Sequence, residues 1–153
     1  MIKQLTLFFI FIILGSMFFS VQVYAQQFGS IELFSKKTGR KYVFKVEIAG
    51  TEAERSRGLM FRETLDPQAG MLFVYPDQKL RTFWMKNTRI ALDLIFIDTK
   101  NRIVHIHPDA IPMDETNIPS QFPARYVLEV NAGMAKQCGF NKGDKVKIKI
   151  PSH

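Results

Sequence analysis

Six residues in the middle of this 153-residue chain, Leu92 to Ile97, constrain its fold most. They are too few for a confident helix, are rich in β-preferring side chains and are apolar but for one. This predicts an interior strand with two apolar faces. Alternation puts Leu92, Leu94 and Phe96 on one face and Asp93, Ile95 and Ile97 on the other. Asp93 is then a carboxylate on an apolar face. It must find a hydrogen-bonding or cationic partner or take up a proton, because an unpaired buried charge costs several kcal/mol or more. The nearest partners in sequence are Lys86, Asn87 and Arg89, across a short connection. Asp93 either straps a turn between two strands or opens into a functional pocket.

The chain before residue 26 reads as a leader rather than as fold. Lys3 gives a positive start, Leu5 to Leu14 is an apolar run, and Val23-Tyr24-Ala25 has the form of a small-residue cleavage site. Residues 1–25 are therefore expected to be a secretory signal peptide, with an uncleaved anchor as the alternative because Phe18, Phe19 and Val21 lengthen the apolar stretch. Residues 26–153 then form one domain, long enough to bury a core, in a periplasmic or secreted protein. The formal net charge of +7 is spread along the chain, and removing the leader takes away only Lys3. No nucleic-acid recognition motif accompanies that charge, and export leaves little opportunity for such a partner. The charge supports at most a weak attraction to anionic envelope polymers or lipid headgroups, with no stable membrane insertion once the leader is gone. Cys138 is the only cysteine, so packing rather than an internal disulfide must hold the fold.

Along the chain, Ile31–Phe34 and Lys41–Ile48 predict a hairpin, and Thr51 with Glu54 has the spacing of a capping box that opens a short helix limited by Gly58. Strands are expected at Met71–Tyr75, before a Pro76-Asp77 turn, and at Thr82–Met85, Leu92–Ile97, Arg102–His107 and Tyr126–Val130, with a last one of alternating lysines at Lys145, Lys147 and Lys149. Four prolines interrupt Pro108 to Arg125, which predicts a structureless flap or mobile segment. Asn131 is placed to cap a helix from Ala132 to Cys138, ended by Gly139. About seven short strands and two short helices make a mainly β (α+β) fold, an antiparallel sandwich or partly closed barrel.

Four ordered motifs, ERSRGLMFRETL (54–65), GMLFVY (70–75), FWMKNTRIALDLIFID (83–98) and VLEVNAG (127–133), resemble the family called domain of unknown function 192 over roughly residues 43 to 150. The resemblance implies a compact, mostly β single domain, often exported, and no established activity or catalytic residue. Arg55, Gly58, Met60, Arg62, Gly70, Met71, Trp84, Met85, Lys86, Asn87, Asp93 and Glu129 fall on its motif positions.

Three chemistries suit these residues. In a binding module, Arg62, Lys86, Asn87, Asp93 and Glu129 gather around one shallow pocket rimmed by Trp84, a set suited to a polar or anionic small molecule or an envelope component. The purely structural alternative pairs Arg55 or Arg62 with Asp93 or Glu129 and places Trp84 in the core. A glycosidase-like hydrolase would use Asp93 and Glu129 as paired carboxylates. Copper-type metal handling would use His105 and His107, on one face of a strand, with Met60, Met71, Met85 and Met113, although those methionines equally suit core gaps. No cofactor is expected, and a monomer is.

Overall fold

The computed structural model describes residues 26–151, so the expected signal peptide lies outside the described residues. Nine strands and two short helices follow in order: β1 (Phe28–Phe34), β2 (Lys41–Ala49), α1 (Glu52–Arg57), β3 (Ala69–Lys79), β4 (Thr82–Phe83), β5 (Leu92–Ile97), β6 (Ile103–Ala110), β7 (Ile118–Pro119), β8 (Ala124–Asn131), α2 (Met134–Cys138) and β9 (Lys145–Lys149). Seven strands make one sheet in the order β6-β5-β8-β3-β2-β1-β9, antiparallel except where β2 runs parallel to β3. The edges of that sheet meet at an Arg102–Lys145 bridge, which curls it into a partly closed barrel.

The alternation of β5 sorts the core into two layers. Ile95 and Ile97 join Ile31, Phe44, Leu72, Leu128 and Val146 in an inner cluster, while Leu92, Leu94 and Phe96 join Leu59, Met71, Phe73, Met85 and Val127 in an outer one. All six residues of β5 are buried, so the strand is interior on both faces as its composition requires. The inner layer fills the barrel. The outer layer lies under the segments that follow α1 and β4 and that join β6 to β8.

The capping box forms as its spacing predicts: Thr51 Oγ1 accepts from the Glu54 amide at 3.2 Å, and Glu54 Oε2 accepts from the Thr51 amide at 2.9 Å. Gly58 ends that helix at φ +48°. Three expectations need correction. β3 runs past Tyr75 through Pro76, because its ladder with β8 is interrupted between Val74 and Lys79 and no amide is demanded of the proline there. The segment Pro108 to Arg125 is not structureless: β6 continues to Ala110, β7 pairs with β4, and the Met85 amide donates to Asp114 O at 2.7 Å. Asn131 does not cap α2. Its amide nitrogen donates to the carbonyls of Leu65 and Asp66, and left-handed Gly133 (φ +84°) precedes the helix without a side-chain cap of its own.

Candidate functional site

The missing cap comes from Asp93. Its Oδ2 accepts the Ala135 amide at 2.7 Å, and Oδ1 accepts the amides of Gly133 at 3.1 Å and Asp109 at 2.9 Å. The side chain is fully buried, so the negative charge is compensated by three backbone donors and the start of α2 rather than by Lys86, Asn87, Arg89 or an arginine. Asp93 holds strand, helix and the end of β6 together. It does not open into a pocket.

Glu129 is the opposite case. Asp93 faces Val130 and Leu94 faces Glu129 across the β5–β8 ladder, so the two carboxyls lie on opposite faces of the sheet. The paired-carboxylate hydrolase is thereby excluded, since no substrate could touch both. Glu129 lies in the outer layer between the side chains of Leu94 and Met71, its neighbours on the flanking strands. Among the four buried carboxyls, Asp144 accepts the amides of Lys36 and Asn141, Glu32 meets Lys41 and Lys149, and Asp93 has its three donors. Glu129 has no hydrogen-bond donor among the described residues. Burial alone pushes its carboxyl up to about 8, so it carries a proton at neutral pH.

Met71 also helps to wall a cleft of about 430 Å³ between α1, the turn after it and the β2–β3 ladder. Six of its lining residues, Glu54, Arg57, Gly58, Met60, Phe61 and Arg62, come from one sequence motif, because the chain leaving α1 folds back across the sheet. Arg62 is held there by a two-pronged ion pair with Glu47 at 2.5 Å from each nitrogen, which raises the guanidinium's pKa, first through the hydrogen bonds to Glu47. Arg57 is exposed and has no carboxylate partner among the described residues. Of the six residues expected around one pocket, only Arg62 lines this cleft.

Trp84, Lys86 and Asn87 stand beside it on a separate feature. The Asn87 carbonyl accepts the Phe61 amide at 2.8 Å, and the Thr88 carbonyl accepts the Met113 amide at 3.0 Å, so three turns are stitched together. Phe61, Asn87 and Met113 each adopt positive φ (65°, 53° and 63°), a conformation that costs a non-glycine residue energy and that gathers at functional sites. Trp84 is half exposed rather than core, as are Phe61 and Met113, and Lys86 lies 5.5 Å from its ring centroid and 3.6 Å from Glu115. The purely structural alternative therefore has its partners wrong: Arg62 pairs with Glu47, and Arg55 donates to the carbonyls of Gly50 and Val74 while lying over Tyr75. Glu47 was absent from the expected set. Its place on β2, two residues before Ala49, alternates with buried Val46 and Ile48, and a lone acid in that pattern was the available signal.

His105 and His107 do share a face, opposite Phe96 and Leu94, and His105 stacks on Phe96 at 5.6 Å. No third His, Cys, Asp or Glu stands with them in a metal-holding group among the described residues. Met71 and Met85 are buried in the outer core, Met60 lines the cleft and Met113 is exposed, so the four sulfurs are spread between core and surface.

The family model for DUF192, described as Uncharacterized ACR, matches residues 34–148. Among solved structures, the chain is similar to a proposed transcription regulator from Sinorhizobium meliloti 1021, at 36% identity over 82% of this chain and 96% of that one, with a TM-score of 0.78. It is also similar to a protein of unknown function from Novosphingobium aromaticivorans DSM 12444, at 40% identity over 82% of this chain and 89% of that one, with a TM-score of 0.76. No curated protein matches it.

Proposed function

The chain belongs to the DUF192 family, and from that premise we propose that it is an exported binding module whose cleft beside α1 takes a small polar or anionic ligand. The observation that carries this reading is Arg57. It is a cation without a carboxylate partner among the described residues, in a cleft of about 430 Å³ and next to an Arg62 that Glu47 already orients. A guanidinium matches carboxylate and phosphate oxygens in a planar, two-pronged way, and a cleft of this size suits a small molecule. Met60, Phe61 and Met71 supply the apolar wall. The charged start, apolar run and Ala25 site support export, and an exported module would meet its ligand among periplasmic or extracellular solutes or envelope components.

Nucleic acid is not part of this reading. Two of the basic side chains near the C-terminal edge, Lys149 and Lys41, are occupied by Glu32. The regulator description belongs to the Sinorhizobium meliloti protein and brings no contact residue with it.

Thermal denaturation of the purified protein across phosphate, citrate, succinate and a sugar acid tests the proposal. At least one should raise the melting temperature, and Arg57→Ala should abolish the rise while leaving the ligand-free value within about 2 °C, because an exposed unpaired side chain contributes little to stability. A flat response to all four probes would sink it.

A further inference from the structure

The seven-stranded sheet closes at one end only. Its β6 and β9 edges are tied by the Arg102–Lys145 bridge and by three hydrogen bonds: the Ile103 amide to Asp144 O at 3.0 Å, the Gly143 amide to Ile103 O at 2.7 Å and the Val146 amide to Asn101 O at 2.9 Å. Beyond this seam β6 runs on to Ala110 at the edge of the sheet, with β5 its sole neighbour in the strand order. Along this stretch, Ile106 shares a pocket with residues of α2 and with Phe140 to Lys142.

That pocket has a volume of about 370 Å³. Its apolar surface includes Val104, Ile106, Phe122 and Phe140, the last of which also packs in the inner core. Its polar side chains are His105, Lys136, Asn141 and Lys142, with no aspartate or glutamate in the lining. Neither lysine has an ion-pair partner among the described residues. Lys142 Nζ lies 3.4 Å from the ring centroid of Phe122, which sets a cation and an aromatic face side by side. His105 is held below its ordinary pKa, first by burial and then by His107 and Lys142.

We propose that this pocket beside β6 is a second binding site, for a small apolar anion: a carboxylate carrying a short hydrocarbon chain or ring. The hydrocarbon part lies on Ile106 and Phe140, where apolar surface is removed from water, and the carboxylate reaches Lys136 and Lys142 at the rim. Clefts with apolar walls and a few convergent polar groups are common ligand sites, and this volume is within their range. An amine with the same tail meets two ammonium groups and no acid, so the site selects by charge as well as by shape. A carboxylate without a tail gains only the rim, where solvent screens it. This site is separate from the Arg57 cleft and does not depend on that reading.

Calorimetric titration of the purified protein with octanoate, octylamine and acetate at neutral pH tests the assignment. Octanoate should bind at least tenfold more tightly than acetate, and octylamine should not bind. Lys136→Gln and Lys142→Gln combined should weaken octanoate at least tenfold without lowering the melting temperature, since both side chains are exposed. Arg57→Ala should leave octanoate affinity unchanged. Absent octanoate binding, equal binding of octylamine, an unaffected double lysine variant, or loss of octanoate on Arg57→Ala would each overturn the proposal.

Discussion

Asp93 Oδ2 and the amide of Ala135 lie 2.7 Å apart, so a residue near the start of a strand caps a helix 42 residues further along the chain. The same carboxylate holds Asp109, at the end of β6. A five-residue helix starting from a left-handed glycine has little intrinsic stability, and this charge at its first turn supplies what local sequence does not.

Asp93→Asn should therefore destabilise the fold by about 2–4 kcal/mol. An asparagine oxygen can keep one or two of the three amides, but its NH₂ then faces a donor and leaves a buried N–H without an acceptor. Urea unfolding of parent and variant measures this directly. A cost below about 1 kcal/mol would remove Asp93 from its role as the cap.

Glu129 should give stability an unusual dependence on pH. Its folded carboxyl titrates at about 8 and an unfolded glutamate near 4.5, so between those values the folded state holds the extra proton. The contribution of this group is thus complete below 4.5 and declines as pH rises toward 8, by about 5 kcal/mol in all. Glu129→Gln, which keeps the neutral shape, should match the parent near pH 4.5 and exceed it at pH 9. A difference between the two proteins that stays constant from pH 4.5 to 9 would mean that the carboxyl is already ionised in the fold.

Gly70 is needed for close approach. A Cβ there would stand 2.6 Å from the backbone oxygen of Glu129, which belongs to the adjacent strand and cannot move without parting the β3–β8 ladder. Gly70→Ala should cost about 2–3 kcal/mol or prevent folding. Amide exchange should quicken along Met71 to Val74 in any variant that does fold; unchanged protection would contradict the clash.

Cys138 is buried at the last position of α2, and burial pushes its thiol pKa up. It should react with a thiol reagent far more slowly than after unfolding. Rapid stoichiometric labelling of the native protein would show that the end of α2 opens readily.

The features legible in the sequence are those set by neighbours along the chain. Two-residue alternation sorted β5 into its two core faces, and the Thr51–Glu54 spacing gave α1 its capping box, because these depend on bonds between residues at most four apart. The likeness of the motifs named the family for the same reason, as an ordered pattern of local stretches. Partner choice was decided elsewhere. Asp93 reads in sequence as a neighbour of Lys86 and Arg89, yet antiparallel pairing with β8 carries it to Gly133 and Ala135. The same register turns Glu129 to the opposite face, separating two acids that composition alone would join. The pairing of Arg62 with Glu47 rather than with either acid follows from the parallel β2–β3 crossover, which lays the chain after α1 back over β2. A strand's alternation is local physics, but which of its faces meets which partner is set by register between strands far apart in sequence, and only the assembled barrel determines that.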